Sequence, residues 1–595
     1  MEGMLVYTEV RSYQIIIDLL KQNGIKNCVL SAGSRNVPFV HSVEEDDFFN
    51  CYSVVDERSA GYFALGLAQE LNEPVVISCT SSTATCNYWP PVAEAYYQNV
   101  PIIVLTSDRD LRRVGQWEDQ LIDQVDMYDR HVRKSVNLPV INDKDDEIYC
   151  ERLVNEALLE LNNNGAKGPI HINVPTNFYN VTFNVNKLPN ARKIDRISLS
   201  NEQMWKKSFE KLKDKKRILV LCGQKTDVTV ELKNEIDNFF KKFNSCIVVD
   251  YMSNLDFENG INTIISMDPR FVNNDTVKKL IPDLIISYGG NIFSSIKDKL
   301  MDYKDKFDHW LIQEDGKLID TFKCLKNVFE CTPEYFFSYM NRNAEDDLSN
   351  NMLYYYEFKS YVESINMPEF EYSHVYAIKN VVEKIPSNST LHLSINDSIR
   401  ITNFFKLNKN IKTYANIGTH GIDGCLSSFL GQAAANEKNS YLIIGDLAFF
   451  YDMNALRLNC IKNNVHILLI NNHGGSEFYF NGVQQNNDKH TTARHNTSAE
   501  GWVKSNNFIY LSAHDKKTFD ENVEKFFKHN DKPVFFEVFT EMKTDAKIIH
   551  DFYKSSRPND LKTTIFRNGK ECIKKAIGQE KAKKIKKFLK KIKGE

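Results

Sequence analysis

The 595-residue chain lacks the features that would assign it to a membrane or to a secretory route. It has no run of 18 or more apolar residues, and its first ten residues, MEGMLVYTEV, do not join a basic segment to an apolar one. These absences argue against a membrane-spanning or secreted protein. Its 12 cysteines include no CxxC pair, so the sequence predicts neither a zinc ribbon nor a disulfide framework. We therefore expect a cytoplasmic protein with buried thiols.

Excess positive charge is concentrated in one short segment at the end of the sequence. Residues 581–595, KAKKIKKFLKKIKGE, hold eight lysines against one glutamate, so the net charge of −3 leaves −10 on the other 580 residues. An acidic body argues against nucleic-acid binding. Apolar residues at three- and four-residue spacings in the tail predict a basic amphipathic helix. It could lie on an anionic membrane surface, bind an acidic partner or be a solvated terminal helix.

Three long stretches of the chain alternate between strand and helix patterns. Apolar runs such as NCVL, VVISC and IHINV mark the first, ILVLC and LIISY the second, and YLIIG, HILLI and VFFEVF the third. Such alternation is typical of parallel sheets covered by helices. The sequence therefore predicts an α/β protein with three Rossmann-like domains in series, at residues 1–187, 188–350 and 351–550, and a C-terminal extension at 551–595.

Two neighbouring strand patterns of the third stretch end in residues with oxygen ligands. YLII is followed by Gly445 and Asp446, and VHILLI is followed by Asn471 and Asn472. Because parallel strands end at one edge of a sheet, Asp446, Asn472 and a backbone carbonyl near Gly474 are candidate ligands of a Mg²⁺ ion that bridges a phosphate. The alternative is that both segments are ordinary turns.

The Gly-Asp pair followed about 25 residues later by Asn-Asn resembles the signature of thiamine-diphosphate enzymes. The resemblance implies thiamine diphosphate and Mg²⁺ as cofactors. It also implies pyrimidine-binding, central and diphosphate-binding domains in that order, and a homodimer or homotetramer with its active site at the subunit interface. A glutamate of the first domain should bond to N1′ of the aminopyrimidine and promote deprotonation of the thiazolium. In DERSAGYFALGLA this residue is Glu57, which could otherwise be an acidic residue favoured at a helix N-terminus.

Longer motifs narrow the resemblance. SAGSRNVPF, CTSSTATCNYWPPVAEA, GIDGCLSSFLG and GDLAFFYDMNAL resemble the family of menaquinone-pathway 2-succinyl-5-enolpyruvyl-6-hydroxy-3-cyclohexene-1-carboxylate synthases. That family decarboxylates 2-oxoglutarate and adds the resulting carbanion to isochorismate. The resemblance implies that Ile422 supports the bent cofactor. It further implies cofactor contacts from Gly445, Asp446, Leu447, Ala448 and Asn472, and substrate contacts from Ser34, Arg35, Arg109, Gln120, Asn396, Arg400 and position 417.

Four positions depart from this family on the side of the donor substrate. Ile417 stands where the resemblance implies a second arginine for the donor's distal carboxylate, and Asn396 replaces a serine. A lost arginine–carboxylate contact costs about 2 to 5 kcal/mol. His420 and Glu477 replace a small and an apolar residue, and they are candidate catalytic acids or bases unless they pair with each other or with solvent.

Three functional hypotheses follow. The first is a thiamine-diphosphate-dependent transferase that decarboxylates a 2-oxo acid and joins the product to an acceptor, with a smaller donor such as pyruvate or with a polar, sugar-like acceptor. The second is the family's own reaction. The third is a non-catalytic binding protein on the same fold, against which the presence of Glu57, Asp446 and Asn472 argues.

Overall fold

The computed structural model describes residues 7–163, 165–177, 180–268, 272, 274–344, 351–480, 490–528 and 530–555. The chain divides into two compact units, Met1–Met204 with Glu314–Glu330, and Trp205–Gln313 with Cys331–Glu595. The expected division into three domains stays a prediction. The expected lysine-rich helix lies outside the described residues.

A six-stranded parallel sheet forms the centre of the first unit. The strands of this part of the chain are β1 (Tyr7–Thr8), β2 (Asn27–Leu30), β3 (Asn50–Ser53), β4 (Val75–Cys79), β5 (Ile102–Arg109), β6 (Ser135–Asn137), β7 (Asn162–Asn163), β8 (Ala166–Lys167), β9 (Ile170–Thr176), β10 (Phe183–Val185) and β11 (Asp195–Ser198). The sheet has the order β3-β2-β4-β5-β9-β6, and all its neighbours are parallel. The ends of β2 and β5 therefore lie at one edge of the sheet.

Helices follow most of these strands. They are α1 (Arg11–Gln22), α2 (Val37–Glu44), α3 (Glu57–Leu71), α4 (Thr83–Asn87), α5 (Trp89–Tyr97) and α6 (Lys144–Leu159). The Asp56 side chain caps α3 by accepting from the Ser59 N–H at 2.8 Å. A Cβ at Gly61 would come within 2.3 Å of Pro91, so glycine lets α3 pack closely against α5. This packing fixes the helix whose first residue is Glu57.

The middle of the chain repeats the alternation on a smaller scale. Its strands are β12 (Ile218–Cys222), β13 (Ser245–Val248), β14 (Leu284–Tyr288) and β15 (Asp308–Ile312), and its helices are α7 (Glu202–Lys213), α8 (Val230–Lys242), α9 (Asn274–Leu280), α10 (Ile296–Met301) and α11 (Pro333–Asn343). The four strands pair in parallel in the order β15-β14-β12-β13. A further strand, β16 (Leu325–Glu330), belongs to the first unit and pairs in parallel with β11.

A second six-stranded parallel sheet lies in the last part of the chain. Its strands are β17 (Thr390–Leu393), β18 (Lys412–Tyr414), β19 (Ser440–Gly445), β20 (Val465–Asn471), β21 (Ile509–Ala513) and β22 (Val534–Phe539), in the order β18-β17-β19-β20-β22-β21. The helices are α12 (Leu353–Glu363), α13 (His374–Val382), α14 (Asp397–Thr402), α15 (Cys425–Ala434), α16 (Asp446–Asp452), α17 (Glu477–Phe480), α18 (Glu500–Ser505), α19 (Lys516–Phe527) and α20 (Met542–Ser555). The predicted α/β class with several parallel sheets is confirmed.

Two expectations from composition can be compared with the described residues. No helix among them is long and apolar enough to span a bilayer. Their cysteines are all free, and most are buried, but Cys51, Cys86 and Cys460 are exposed. The expectation that all the cysteines are buried is therefore wrong for these three.

Candidate active site

The ends of the adjacent strands β19 and β20 carry the predicted metal ligands. Asp446, only 2% exposed, is the first residue of α16, and Asn472 directly follows β20. The Gly474 N–H donates to Asp446 Oδ2 at 2.9 Å, and the Leu447 N–H donates to Oδ1 at 2.6 Å. These bonds join the two strand ends and fix the carboxylate. Asp446, Asn472 and Gly474 line one cavity of about 280 Å³.

The chemistry of this donor set fits Mg²⁺ and a diphosphate. A carboxylate, an amide oxygen and a backbone carbonyl are the hard ligands that Mg²⁺ prefers. A Cβ at Gly474 would lie 2.6 Å from the Thr492 carbonyl oxygen, so only glycine fits there, whereas a Cβ at Gly445 would meet nothing within 4 Å. Within the described ranges, no group of three or more His, Cys, Asp or Glu side chains offers a different metal site.

The remaining predicted cofactor contacts line the same cavity. Ile422, Leu447 and Ala448 are among its lining residues, together with Gly445. Ile422 also packs against the apolar cluster that contains Ala448. The structure thus brings together every residue that the resemblance assigns to the diphosphate end of the cofactor, and their roles stay predictions.

On the donor side, two carboxylates bind the predicted substrate arginine. The Nη1 and Nη2 atoms of Arg400 donate to Glu477 Oε2 and Oε1 at 2.9 and 3.0 Å, and Nη1 also donates to Asp397 Oδ1 at 2.5 Å. The side chains of Arg400 and Glu477 are 14% and 23% exposed. Asp397, Glu477 and Asn396 line the cavity, but Arg400 is not one of its lining residues. Both residues that pair with the guanidinium, Asp397 and Glu477, thus line this cavity.

The other two departures from the family lie apart from this cavity. The Ile417 side chain is fully buried in an apolar cluster that includes Ile443 and Leu468. His420 is exposed, has a φ of +57° and stacks on Phe293 with 6.2 Å between ring centroids. Glu477 pairs with Arg400 and His420 stacks on Phe293, and the catalytic roles of both residues stay predictions.

In the first unit, Glu57 begins α3 and is partly exposed. Its Oε2 accepts from Asn87 Nδ2 at 3.2 Å. Several apolar side chains on or beside α3 and α5 are also exposed: Val55, Tyr62, Phe63, Trp89 and Tyr97. Glu57 therefore lies on a surface with more apolar area than a solvated helix end requires.

The predicted acceptor residues meet in one cavity of the first unit. Ser34, Arg35, Arg109 and Gln120 all line it, and its volume is about 270 Å³. Arg35 Nη1 donates to Gln120 Oε1 at 2.5 Å. Arg109 and Arg113, which also lines the cavity, share Glu118 at 2.7 and 3.3 Å. Motifs up to 86 positions apart in the sequence thus form one basic site, because Arg109 ends β5 and Ser34 follows β2.

Sequence reasoning missed a buried group of polar residues behind the metal-ligand positions. Asn472 Nδ2 donates to Asp545 Oδ2 at 3.2 Å, and His374 Nδ1 lies 3.1 Å from Asp545 Oδ1. Burial raises the pKa of the Asp545 carboxyl, but His374 and the donors around it outweigh burial, so its pKa lies below the ordinary value. No motif marks His374 or Asp545, since each is a single polar position on the buried face of its helix.

A second missed residue contacts Asp446 itself. His495 Nε2 lies 3.3 Å from Asp446 Oδ2. The Thr497 N–H donates to His495 Nδ1 at 3.1 Å, so the ring proton of a neutral His495 is on Nε2. His495 thus places a polar ring beside the Asp446 carboxylate.

Comparison with known proteins gives two kinds of match. The family described as thiamine pyrophosphate enzyme, N-terminal TPP binding domain, matches residues 11–127. The chain is 35% identical over 561 residues to a 2-succinyl-5-enolpyruvyl-6-hydroxy-3-cyclohexene-1-carboxylate synthase of Bacteroides fragilis, covering 92% of this chain and 99% of that protein. Enzymes of the same name from Bacteroides thetaiotaomicron and Flavobacterium johnsoniae are 35% and 30% identical, covering 92% of this chain and 99% and 100% of their own lengths.

Proposed function

Because the chain belongs to the family of 2-succinyl-5-enolpyruvyl-6-hydroxy-3-cyclohexene-1-carboxylate synthases and is a thiamine-diphosphate-dependent enzyme, we propose that it decarboxylates a 2-oxo acid and transfers the product to an acceptor. The donor that we propose has no second carboxylate, as in pyruvate. The pairing of Arg400 with Glu477, a residue that lines the cavity, carries this proposal.

The residues that would hold the cofactor follow from the cavity lining. Asp446, Asn472 and the Gly474 carbonyl would bind Mg²⁺, and the open side of Gly445 would admit the diphosphate. When bound, thiamine diphosphate supplies a nucleophilic carbon and accepts the electron pair released as a 2-oxo acid loses CO₂. Glu57 would hydrogen-bond to N1′ of the aminopyrimidine and share its proton with that nitrogen, which promotes deprotonation of the thiazolium.

We propose that the complete site forms between subunits of a homodimer or homotetramer. Glu57 belongs to the first compact unit and Asp446 to the second. The exposed apolar residues around α3 and α5 support this proposal, because such surfaces are typical of protein interfaces.

The electrostatics of the donor cavity argue against a dicarboxylate. Asp397 and Glu477 line it, and both pair with the guanidinium of Arg400. A second carboxylate on the donor would have to displace Glu477 from a largely buried ion pair. Breaking a buried pair costs roughly 3 to 5 kcal/mol, which corresponds to an affinity loss of about 100-fold to several thousand-fold.

The acceptor cavity favours an anionic acceptor. Three arginines, Arg35, Arg109 and Arg113, line it, with Asp119 as the one acidic lining residue. Planar guanidinium groups suit bidentate recognition of a carboxylate or phosphate. The sugar-like acceptor predicted from His420 and Glu477 gains no support from their positions, since Glu477 is bound to Arg400 and His420 stacks on Phe293.

The family's own reaction is the second candidate, and the acceptor cavity together with the 35% identity favours it. To decide, CO₂ release from pyruvate and from 2-oxoglutarate would be measured with thiamine diphosphate and Mg²⁺, with Glu57→Gln as the inactive control. We expect a higher kcat/KM for pyruvate. A higher value for 2-oxoglutarate would overturn the changed donor, and no cofactor-dependent release from any 2-oxo acid would revive the binding-protein hypothesis.

A further inference from the structure

Asp545 lies on α20, the helix that follows the last strand of the sheet, and its side chain is fully buried. Its Oδ1 accepts from the backbone N–H of His374 at 3.0 Å. Its Oδ2 accepts from Thr540 Oγ1 at 2.6 Å and from Asn472 Nδ2 at 3.2 Å. Every one of these partners donates to the carboxylate.

This pattern fixes the orientation of the Asn472 amide. A carboxylate only accepts hydrogen bonds, so it must face the NH₂ group of Asn472 and not the amide oxygen. The amide is planar, with oxygen and nitrogen on opposite sides of Cγ. Asn472 Oδ1 is therefore turned away from Asp545, and Asn472 lines the cavity together with Asp446 and Gly474.

We propose that Asp545 is a positioning residue that holds the amide oxygen of Asn472 towards the metal site. The inference rests on the proposed function, because it needs Mg²⁺ at Asp446, Asn472 and Gly474. Partners that orient metal ligands in this way typically change metal affinity by about 10- to 100-fold when they are lost.

The substitution Asp545→Asn tests this directly, since it should invert the Asn472 amide. The backbone N–H of His374 can only donate, so the new side chain must place its oxygen there. Its NH₂ group then occupies the position of Oδ2 and faces Asn472. Asn472 can bond to it only by turning its own oxygen away from the metal site, which leaves a donor facing the metal.

The reciprocal exchange should restore the pairing. In the double variant Asp545→Asn with Asn472→Asp, one oxygen of the new carboxylate accepts from the amide at position 545 and the other faces the metal. Asn472→Asp alone places two carboxylates where the donor and acceptor were 3.2 Å apart, and like charges at that distance repel each other. The two substitutions are therefore expected to be strongly non-additive.

Mn²⁺ affinity would be measured by electron paramagnetic resonance titration at a fixed concentration of thiamine diphosphate. We expect Asp545→Asn to weaken binding about 10- to 100-fold, and the double variant to bind at least about 10-fold more tightly than the product of the two single effects. The matched control is Asp551→Asn, because Asp551 is an exposed carboxylate on the same helix, and its affinity should equal that of the wild type.

The outcomes separate this inference from the proposed function. Wild-type protein that binds no Mn²⁺ with thiamine diphosphate would overturn the proposed function. If the wild type binds Mn²⁺ tightly, two results would overturn the positioning role. One is unchanged binding by Asp545→Asn, and the other is additive effects in the double variant. Melting curves without metal would show whether each variant folds. If Asp545→Asn does not fold, a double variant that folds and binds Mn²⁺ supports the pairing, and one that does neither contradicts it.

Discussion

The two cavities are nearly equal in volume, about 270 and 280 Å³, but they treat their arginines in opposite ways. In the first unit, Arg109 and Arg113 both pair with Glu118. In the second unit, Arg400 alone meets both Asp397 and Glu477. The first cavity therefore suits an anion, whereas the second presents acidic groups. An arginine that matches the family's motif therefore does not by itself establish an anion site, because the partners of the arginine decide what it can bind.

The largest effect is expected from Asp446→Asn, which changes the second cavity and not the first. The substitution removes the carboxylate that accepts from Gly474 and that would bind Mg²⁺. Affinity for thiamine diphosphate in the presence of Mg²⁺, measured by fluorescence titration, should fall by more than about 100-fold, beyond the range seen for partners that only orient a ligand. Arg109→Gln should leave this affinity unchanged, and an equal loss in both variants would contradict the separate roles of the cavities.

Glu477→Gln would remove the main difference between the two cavities. The substitution frees the Arg400 fork from one of its two carboxylates. Because hydrogen bonds to charged groups contribute about 1.5 to 3 kcal/mol, the kcat/KM ratio of 2-oxoglutarate to pyruvate should rise roughly 10- to 150-fold. The matched control is Glu118→Gln, which removes the carboxylate that Arg109 and Arg113 share in the first cavity. An unchanged donor ratio in Glu477→Gln would show that this pair does not select the donor.

Arg109→Gln changes the acceptor cavity, and its effect on activity should be smaller than those of Asp446→Asn and Glu477→Gln. Arg109 is mostly buried and already pairs with Glu118, so its loss removes only part of the positive charge. We expect KM for the acceptor to rise about 10-fold, while decarboxylation of the donor alone is unchanged. Steady-state assays with and without acceptor would measure both quantities, and a matching loss of decarboxylation would argue for a shared site.

The smallest effect is expected on the stability of each unit in acid. Burial lowers the pKa of His171 in the first unit to about 3 and that of His392 in the second to about 4. Both are neutral when folded, so their stabilisation is complete above pH 6.5 and is lost as the pH falls from 6.5 towards the folded pKa. Between pH 7 and 5.5 each contributes a loss of about 1 kcal/mol.

Unfolding by urea at several pH values would measure this loss. In the second unit, His392→Gln should make the free energy of unfolding fall less as the pH decreases. His171→Gln should have the same effect in the first unit. An undiminished acid loss in both variants would assign the pH dependence to other groups.

The sequence predicts those parts of the fold and site that follow from strand ends. Hydrophobic alternation predicts the parallel sheets, and parallel strands bring Asp446 and Asn472 to one edge of a sheet. The resemblance to the family, and not the strand pattern, predicts that Arg35, Arg109 and Gln120 contact one substrate, and these residues line one cavity.

Side-chain pairing across helices could not be predicted in this way. Glu477 and Arg400 are 77 positions apart on two short helices, and no periodic pattern links them. Asp545 lies in an amphipathic helix, where a single carboxylate would be expected to face solvent, yet it is fully buried against His374. Such contacts depend on packing between elements, which a hydrophobic pattern does not specify.

The ion pair between Arg400 and Glu477 also bears on how such a preference could evolve. A glutamate codon becomes a glutamine, alanine or valine codon by one base change, so the residue that blocks the arginine is a single mutational step from removal. Ile417 offers no comparable route, because an arginine there would enter a fully buried apolar cluster. Natural variation in the donor would therefore be expected to appear at position 477 first, with the surrounding core left intact.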